Sequence, residues 1–141
     1  MSDVKAFLKL NKAVKENVFF PATASLKGGD GAPLMWEIRH ITTKDEERIR
    51  EECSKEVFNK ASNTYRLKLD VDRYNARLIA ASVASPDLMN AELQDSYGVK
   101  TPEDLITEMV DNPGEYTRLL LFIREINDFG NINEQAEAAK N

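Results

Sequence analysis

Val18-Phe19-Phe20-Pro21-Ala22-Thr23-Ala24-Ser25-Leu26, followed after a turn by Leu34-Met35-Trp36-Glu37-Ile38, decides the fold class of this chain. Val18, Phe20, Ala22, Ala24 and Leu26 occupy alternate positions, the period of a half-buried strand. Pro21 has no N–H to give a ladder, which places this strand at a sheet edge. Leu34, Trp36, Ile38 and His40 repeat the alternation. Between the two runs, Lys27-Gly28-Gly29-Asp30-Gly31-Ala32-Pro33 is polar and rich in turn formers, so the pair reads as a β-hairpin with a loose loop. A lone hairpin is marginal in water, and its apolar face must be covered.

The cover comes from helices on either side. Residues 3–10 predict a short helix capped by Ser2, with Val4, Phe7 and Leu8 on one face. Thr43 with Glu46 three residues on has the form of a capping box and opens a helix over residues 43–57. Its apolar stripe is narrow (Ile49, Cys53, Val57), and Glu46 with Arg50 and Glu51 with Lys55 lie in the favourable i,i+4 order, so it is a surface helix. Residues 59–64 read as a loop. Tyr65, Leu67 and Leu69 alternate, which allows a third short strand.

Asp70 or Asp72 opens a second helix, with Tyr74, Leu78, Ala81 and Ser82 on one side, and Ser85-Pro86-Asp87 ends it. A short helix over residues 90–97 stops at Gly98, a left-handed cap. Thr101-Pro102-Glu103-Asp104 and Asn112-Pro113-Gly114-Glu115 each supply a cap, a proline at the first helical position and acids in the first turn. The last of these helices runs to about Phe129. The class is therefore α+β: a mostly α-helical single domain over residues 1–132 with an N-terminal β-hairpin, and a flexible polar tail over residues 133–141.

The chemistry is thin. A chain of 141 residues with one cysteine, Cys53, has no internal disulfide and suits a reducing compartment. No apolar run approaches a membrane span, and residues 1–10 do not read as a secretory signal. The net charge of −5 argues against a dedicated nucleic-acid binder. His40, the one histidine, reads as a half-exposed strand residue, and no serine or cysteine sits in a nucleophile motif. Cys53 falls on an apolar stripe and reads as a small buried hydrophobe. Asp70-Val71-Asp72 opens like a calcium loop, but Arg73 and Tyr74 follow where oxygen ligands and glycine are required, and a helix cap explains both aspartates. Gly28-Gly29-Asp30-Gly31 precedes a strand with no Gly-Lys-Ser/Thr, so these are turn residues and no phosphate cradle. The residues point to no catalytic centre, no metal and no cofactor.

The last helix is the exception. At 100° per residue, Tyr116, Leu119, Leu120, Ile123 and Ile126 form one core-facing arc that Phe122 and Phe129 extend. Leu121 falls outside it, between Thr117, Arg124 and Glu125. It reads either as a second contact within the domain or as an exposed anchor for a partner.

Three stretches carry a resemblance. They are Trp36-Glu37-Ile38 through Ile41-Thr42-Thr43 to Asp45-Glu46, Ile49-Arg50 and Cys53; Pro86-Asp87-Leu88 with Ala91-Glu92-Leu93-Gln94-Asp95-Ser96-Tyr97-Gly98-Val99; and Pro113-Gly114-Glu115-Tyr116 with Glu125-Ile126-Asn127. From about Val18 onward the chain resembles the XkdN-like family of phage tail assembly chaperones. It departs from the family at Asn127-Asp128-Phe129-Gly130, where glycine is expected before the phenylalanine, a change that bears on the exit of the last helix. The resemblance implies a non-enzymatic protein of the host cytoplasm, absent from the mature virion. Its partners would be the tape-measure protein and the tail-tube protein, with no nucleic acid, no membrane and room for a homo-oligomer. The rival is a structural tail component retained in the virion. Related phages often make a longer product by a backward ribosomal frameshift. Ala139-Lys140-Asn141 could be encoded by a slippery heptamer, so the resemblance also implies a short product whose tail leads into an extension.

Overall fold

Trp36 and Ile38 lie in the middle strand of a three-stranded antiparallel sheet, both buried. The computed structural model describes residues 3–130. In chain order its elements are β1 (Val18–Phe20), β2 (Trp36–Ile38), α1 (Thr43–Glu52), β3 (Ser54–Asn59), β4 (Thr64–Leu69), α2 (Val71–Ser82), β5 (Val83–Ser85), α3 (Ala91–Ser96), α4 (Pro102–Met109) and α5 (Pro113–Ile126). Among the described residues helix accounts for 45% and strand for 18%, which makes the class α+β with more helix than strand. The expected tail over residues 133–141, its Ala139-Lys140-Asn141 ending and the Ser2 cap lie outside the described residues.

The hairpin forms in the expected register, with Val18 opposite Ile38 and Phe20 opposite Trp36. These two pairs share a face, and helices cover it. Phe20 stacks on Phe122 of α5 with centroids 4.3 Å apart. Leu78 and Ile79 of α2, Leu105 and Ile106 of α4, and Leu119 and Ile123 of α5 fill the same core. The first strand is shorter than its alternation suggests. After Pro21 the pattern breaks, because Ala22 and Thr23 are both buried while Ala24 is exposed.

That break has a chemical cause. Glu115 of α5 accepts hydrogen bonds from the Thr23 hydroxyl at 2.7 Å and the Ala24 N–H at 2.8 Å. It sits three residues after the cap Asn112, where a capping-box glutamate would reach back to its own helix. Here it reaches across to the hairpin and ties α5 to the chain leaving β1.

Four elements differ from their sequence readings. Residues 3–10 form two 3-10 turns, Val4–Phe7 and Lys9–Asn11, capped by Asp3, with Val4, Phe7 and Leu8 exposed. No core lies beneath their apolar face, so packing does not extend them into an α-helix. The capping box of α1 is one residue earlier, Thr42 with Asp45, and the helix ends at Glu52. Residues 54–59 are a strand instead, pairing with β4 from Ser54 opposite Leu69 to Asn59 opposite Thr64, and Asn63 takes φ +53° in the turn. The helical spacing of Ile49, Cys53 and Val57 is thus coincidental at its last member.

In the third case α2 ends at Ser82 and the chain adds β5 to the hairpin, opposing Ile38 to Val83 and Glu37 to Ser85 across a bulge. Nothing local marks a strand of three residues; the open edge of β2 recruits it. Finally, α5 ends at Ile126, short of Phe129, with Asn127 as its C-cap. Asn127 donates to the Ile123 carbonyl at 2.8 Å and accepts from the Ile41 N–H at 3.0 Å. The next residue, Asp128, takes φ +59°, a conformation suited to the glycine expected there.

Two outcomes follow. Asp128→Gly should raise stability by a few tenths to about 1 kcal/mol in denaturant melts, because relief of left-handed strain outweighs the added unfolded-state freedom. The Ala24 N–H, then the Thr23 hydroxyl, hold the Glu115 carboxyl below its ordinary 4.5. A lowered folded pKa contributes stability that is complete above the unfolded value and is lost as pH falls through the folded one. Melts from about pH 6 down to about pH 3 should therefore show a shallower acid loss for Glu115→Gln than for the wild type.

Candidate functional site

Leu121 projects from the side of α5 that the core does not use, and 44% of it is exposed. It borders a groove of about 520 Å³ between α5, α2 and α1. Leu69 at the end of β4, Val71 in the first turn of α2, and Leu120 and Leu121 supply much of its apolar lining. The polar rim comes from Glu46, Arg50, Asn75, Thr117 and Arg124.

The rim is built from the sequence upward. Glu46 and Arg50 are one helical turn apart on α1 and form an ion pair. Glu46 also accepts the Tyr74 hydroxyl at 2.8 Å, so one carboxylate pins α1 to α2 at the groove wall. Burial, then this bond to Glu46, pushes the Tyr74 phenol up, while the bonds to Glu46 and to Tyr74 raise Arg50 further. Tyr74 is therefore a neutral hydroxyl and Arg50 a cation at any physiological pH. Across the groove, the Arg124 guanidinium stands 5.2 Å from the centre of the Phe129 ring, a cation–π contact. Its Nε is buried and has no hydrogen-bond partner among the described residues.

The arrangement offers shape and apolar contact. His40 lines a different cleft, of about 770 Å³, beside Lys12, Lys15 and Lys44, and no residue lining it is a carboxylate. Cys53 is buried, as its apolar stripe predicts. Asp70 caps α2 through the Arg73 N–H at 3.2 Å. Gly28, Ala32 and Gly31 close the hairpin loop by backbone bonds, with Gly31 at φ +81°. No group of three or more His, Cys, Asp or Glu able to hold a metal occurs among the described residues. No helix among them is long and apolar enough to cross a membrane.

Helical periodicity isolates Leu121 but misses its neighbours. Leu120 belongs to the core-facing arc and turns a flank into the groove. Leu69 and Val71 lie where a strand ends and a helix begins, so neither period describes them. An unexplained apolar residue in the first turn of α2 is the signal that could have found Val71.

Comparison with known proteins places this geometry in a family. The model of the family described as "Phage XkdN-like tail assembly chaperone protein, TAC" matches residues 4–140. Two proteins of Bacillus subtilis (strain 168) are each 25% identical over 141 residues, 99% of this chain. One is the phage-like element PBSX protein XkdN, of which 94% is covered, and the other is YqbN, of which 93% is covered. The crystal structure of YqbN superposes with a TM-score of 0.75 at 22% identity, over 92% of this chain and 99% of that one, so the two share a fold.

Core and groove positions on α5 should separate in melts. Ile123 is fully buried, and Ile123→Ala should cost about 2–5 kcal/mol. Leu121→Asp should change stability by roughly 0.5 kcal/mol or less.

Proposed function

The chain belongs to the phage XkdN-like tail assembly chaperone family, and from that premise we propose that it is a non-enzymatic chaperone that binds the tape-measure protein and helps recruit tail-tube subunits. It acts in the host cytoplasm and leaves before the tail is complete. The observation that carries the binding site is the groove around Leu121. It is open to solvent and apolar at its floor, and it runs beside a helix that is otherwise committed to the core.

A tape-measure protein spans the length of a tail, and a long helix is an economical way to do so. An amphipathic helix reads a groove of this kind through apolar anchors at helical spacing. Leu121, Leu120 and Val71 meet such anchors, and desolvated apolar contacts at the centre of an interface carry most of its affinity. Arg124 places a cation at the edge of the groove. Tyr74 and Arg50 are immobilised by Glu46, so the rim is arranged before the partner arrives, which lowers the entropic cost of binding.

The test has two arms. Purified Leu121→Asp should retain its fold by circular dichroism yet lose about tenfold or more of its affinity for a tape-measure fragment, since a carboxylate would be desolvated in the groove. Unchanged affinity would remove Leu121 from the site. Mass spectrometry should find the protein in lysates of cells assembling tails and not in purified particles. Stoichiometric protein in the particles would favour a structural tail component.

A further inference from the structure

Two stretches of this sequence carry opposite charge. Residues 4–15 hold four lysines and no acid, while residues 128–137 hold Asp128, Glu134 and Glu137 and no base. Lys12 and Lys15 of the first stretch, with Lys44 in the first turn of α1, line the cleft of about 770 Å³ that also holds His40. All three lysines are exposed, and none forms an ion pair among the described residues. Ala13 and Ile41 give the cleft an apolar side. Glu16 and Asp45, next to Lys15 and Lys44 in the chain, do not line it. Asp45 is turned instead to the Thr42 N–H at 3.1 Å and to Arg48 at 3.4 Å. Like charges gathered in one cleft repel one another until a counter-charge enters.

The exit of α5 is tied to the same cleft. Asn127, its C-cap, accepts from the Ile41 N–H at 3.0 Å, and Ile41 is part of the cleft wall. The chain passes on through Gly130, which takes φ +71°. From there an extended chain reaches Glu134 within about 14 Å and Glu137 within about 24 Å. The Leu121 groove offers these carboxylates less. Its Arg50 is already paired with Glu46, and its Arg124 stands against the Phe129 ring. The cations without a counter-charge are on the cleft side.

We propose that the cleft of Lys12, Lys15, Lys44 and His40 is the docking site of the acidic stretch that follows α5 in the same chain, with Glu134 and Glu137 as the carboxylates that enter it. Charge complementarity selects the occupant, and the tether at Asn127 gives it a high effective concentration beside the cleft. Docking clasps residues 4–15, whose side chains are all exposed, to the end of α5. A single exposed ion pair contributes little. The clasp therefore depends on three cations and two carboxylates acting together, and it opens with salt.

Zero-length carbodiimide coupling of the full chain, read by peptide mass spectrometry, tests this. Amide links from Glu134 or Glu137 to Lys12, Lys15 or Lys44 should form at low ionic strength and fall several-fold in about 0.5 M salt. In a mixture of isotope-labelled and unlabelled chains, each linked pair should carry one label only. Lys12→Glu with Lys15→Glu should abolish the links to positions 12 and 15. Adding Glu134→Lys and Glu137→Lys to that variant should restore links between the same positions, and circular dichroism should show every variant folded. His40 is the one histidine, so its imidazole resonances report on the cleft directly. Glu134→Gln with Glu137→Gln should shift them, while Glu108→Gln, an exposed change on α4, should not. Absence of the links in the wild type overturns the proposal, as does a yield indifferent to salt. Links of mixed label show a contact between copies and also overturn it. Unmoved His40 resonances in the Glu134→Gln, Glu137→Gln variant leave the cleft to another occupant and overturn it as well.

Discussion

A strand of three residues has too few hydrogen bonds to stand in water, and β2 carries a tryptophan and an isoleucine that must be removed from it. Most larger features of the chain answer that requirement. β1 and β5 pair with the two edges of β2, so its backbone groups are satisfied from both sides. α2, α4 and α5 contribute to the core that buries Trp36 and Ile38. The ties at the margins are polar and specific: Glu115 to Thr23 and Ala24, Asn127 to Ile41, and the Arg39 N–H to the Ser82 carbonyl at 2.7 Å. The first two set the angle at which α5 crosses the sheet, because they pin both of its ends to residues flanking the hairpin.

The groove is a consequence of that angle. With α5 pinned at both ends, its core-facing arc is spent on Leu119 and Ile123, and its other side stands beside α2 without a layer above it. A helix presents about a third of its circumference to one neighbour, so an apolar residue outside that arc is left to solvent. Leu69 and Val71 enter the same space because β4 passes directly into α2 through the single residue Asp70, which caps the helix. The open groove therefore belongs to the packing, and it is lined by residues from three separate stretches of sequence.

The β3–β4 hairpin stands apart from this economy. It buries little of itself, yet it keeps six opposed residue pairs in unbroken register. The α1 helix that precedes it is tied to α2 by Arg77, which pairs with Glu52 and, at 3.3 Å, with Glu103 of α4. That network supports the segment from which the hairpin departs. A structured and mostly exposed ribbon beside a well-packed core is more useful for contact with another molecule than for stability, and this suits a protein whose family assists assembly.

Much of this could be read from the residues. Alternation around Trp36 identified the hairpin, and the cap signals at Thr101 and Asn112 marked two helix starts that the structure keeps. The absence of glycine before Phe129 pointed to the helix exit where Asp128 is strained. Such signals are local: a cap, a turn or a period is written in neighbouring residues and acts over one or two turns. β5 and the end of α1 at Glu52 were not written this way, since the first depends on an edge left open by another strand and the second on a hairpin partner ten or more residues away. Leu121 could be singled out as an apolar residue without a place in the core. Only tertiary structure decided what lies beside it, because the groove exists where α5, α2 and the end of β4 converge, and no stretch of sequence contains all three.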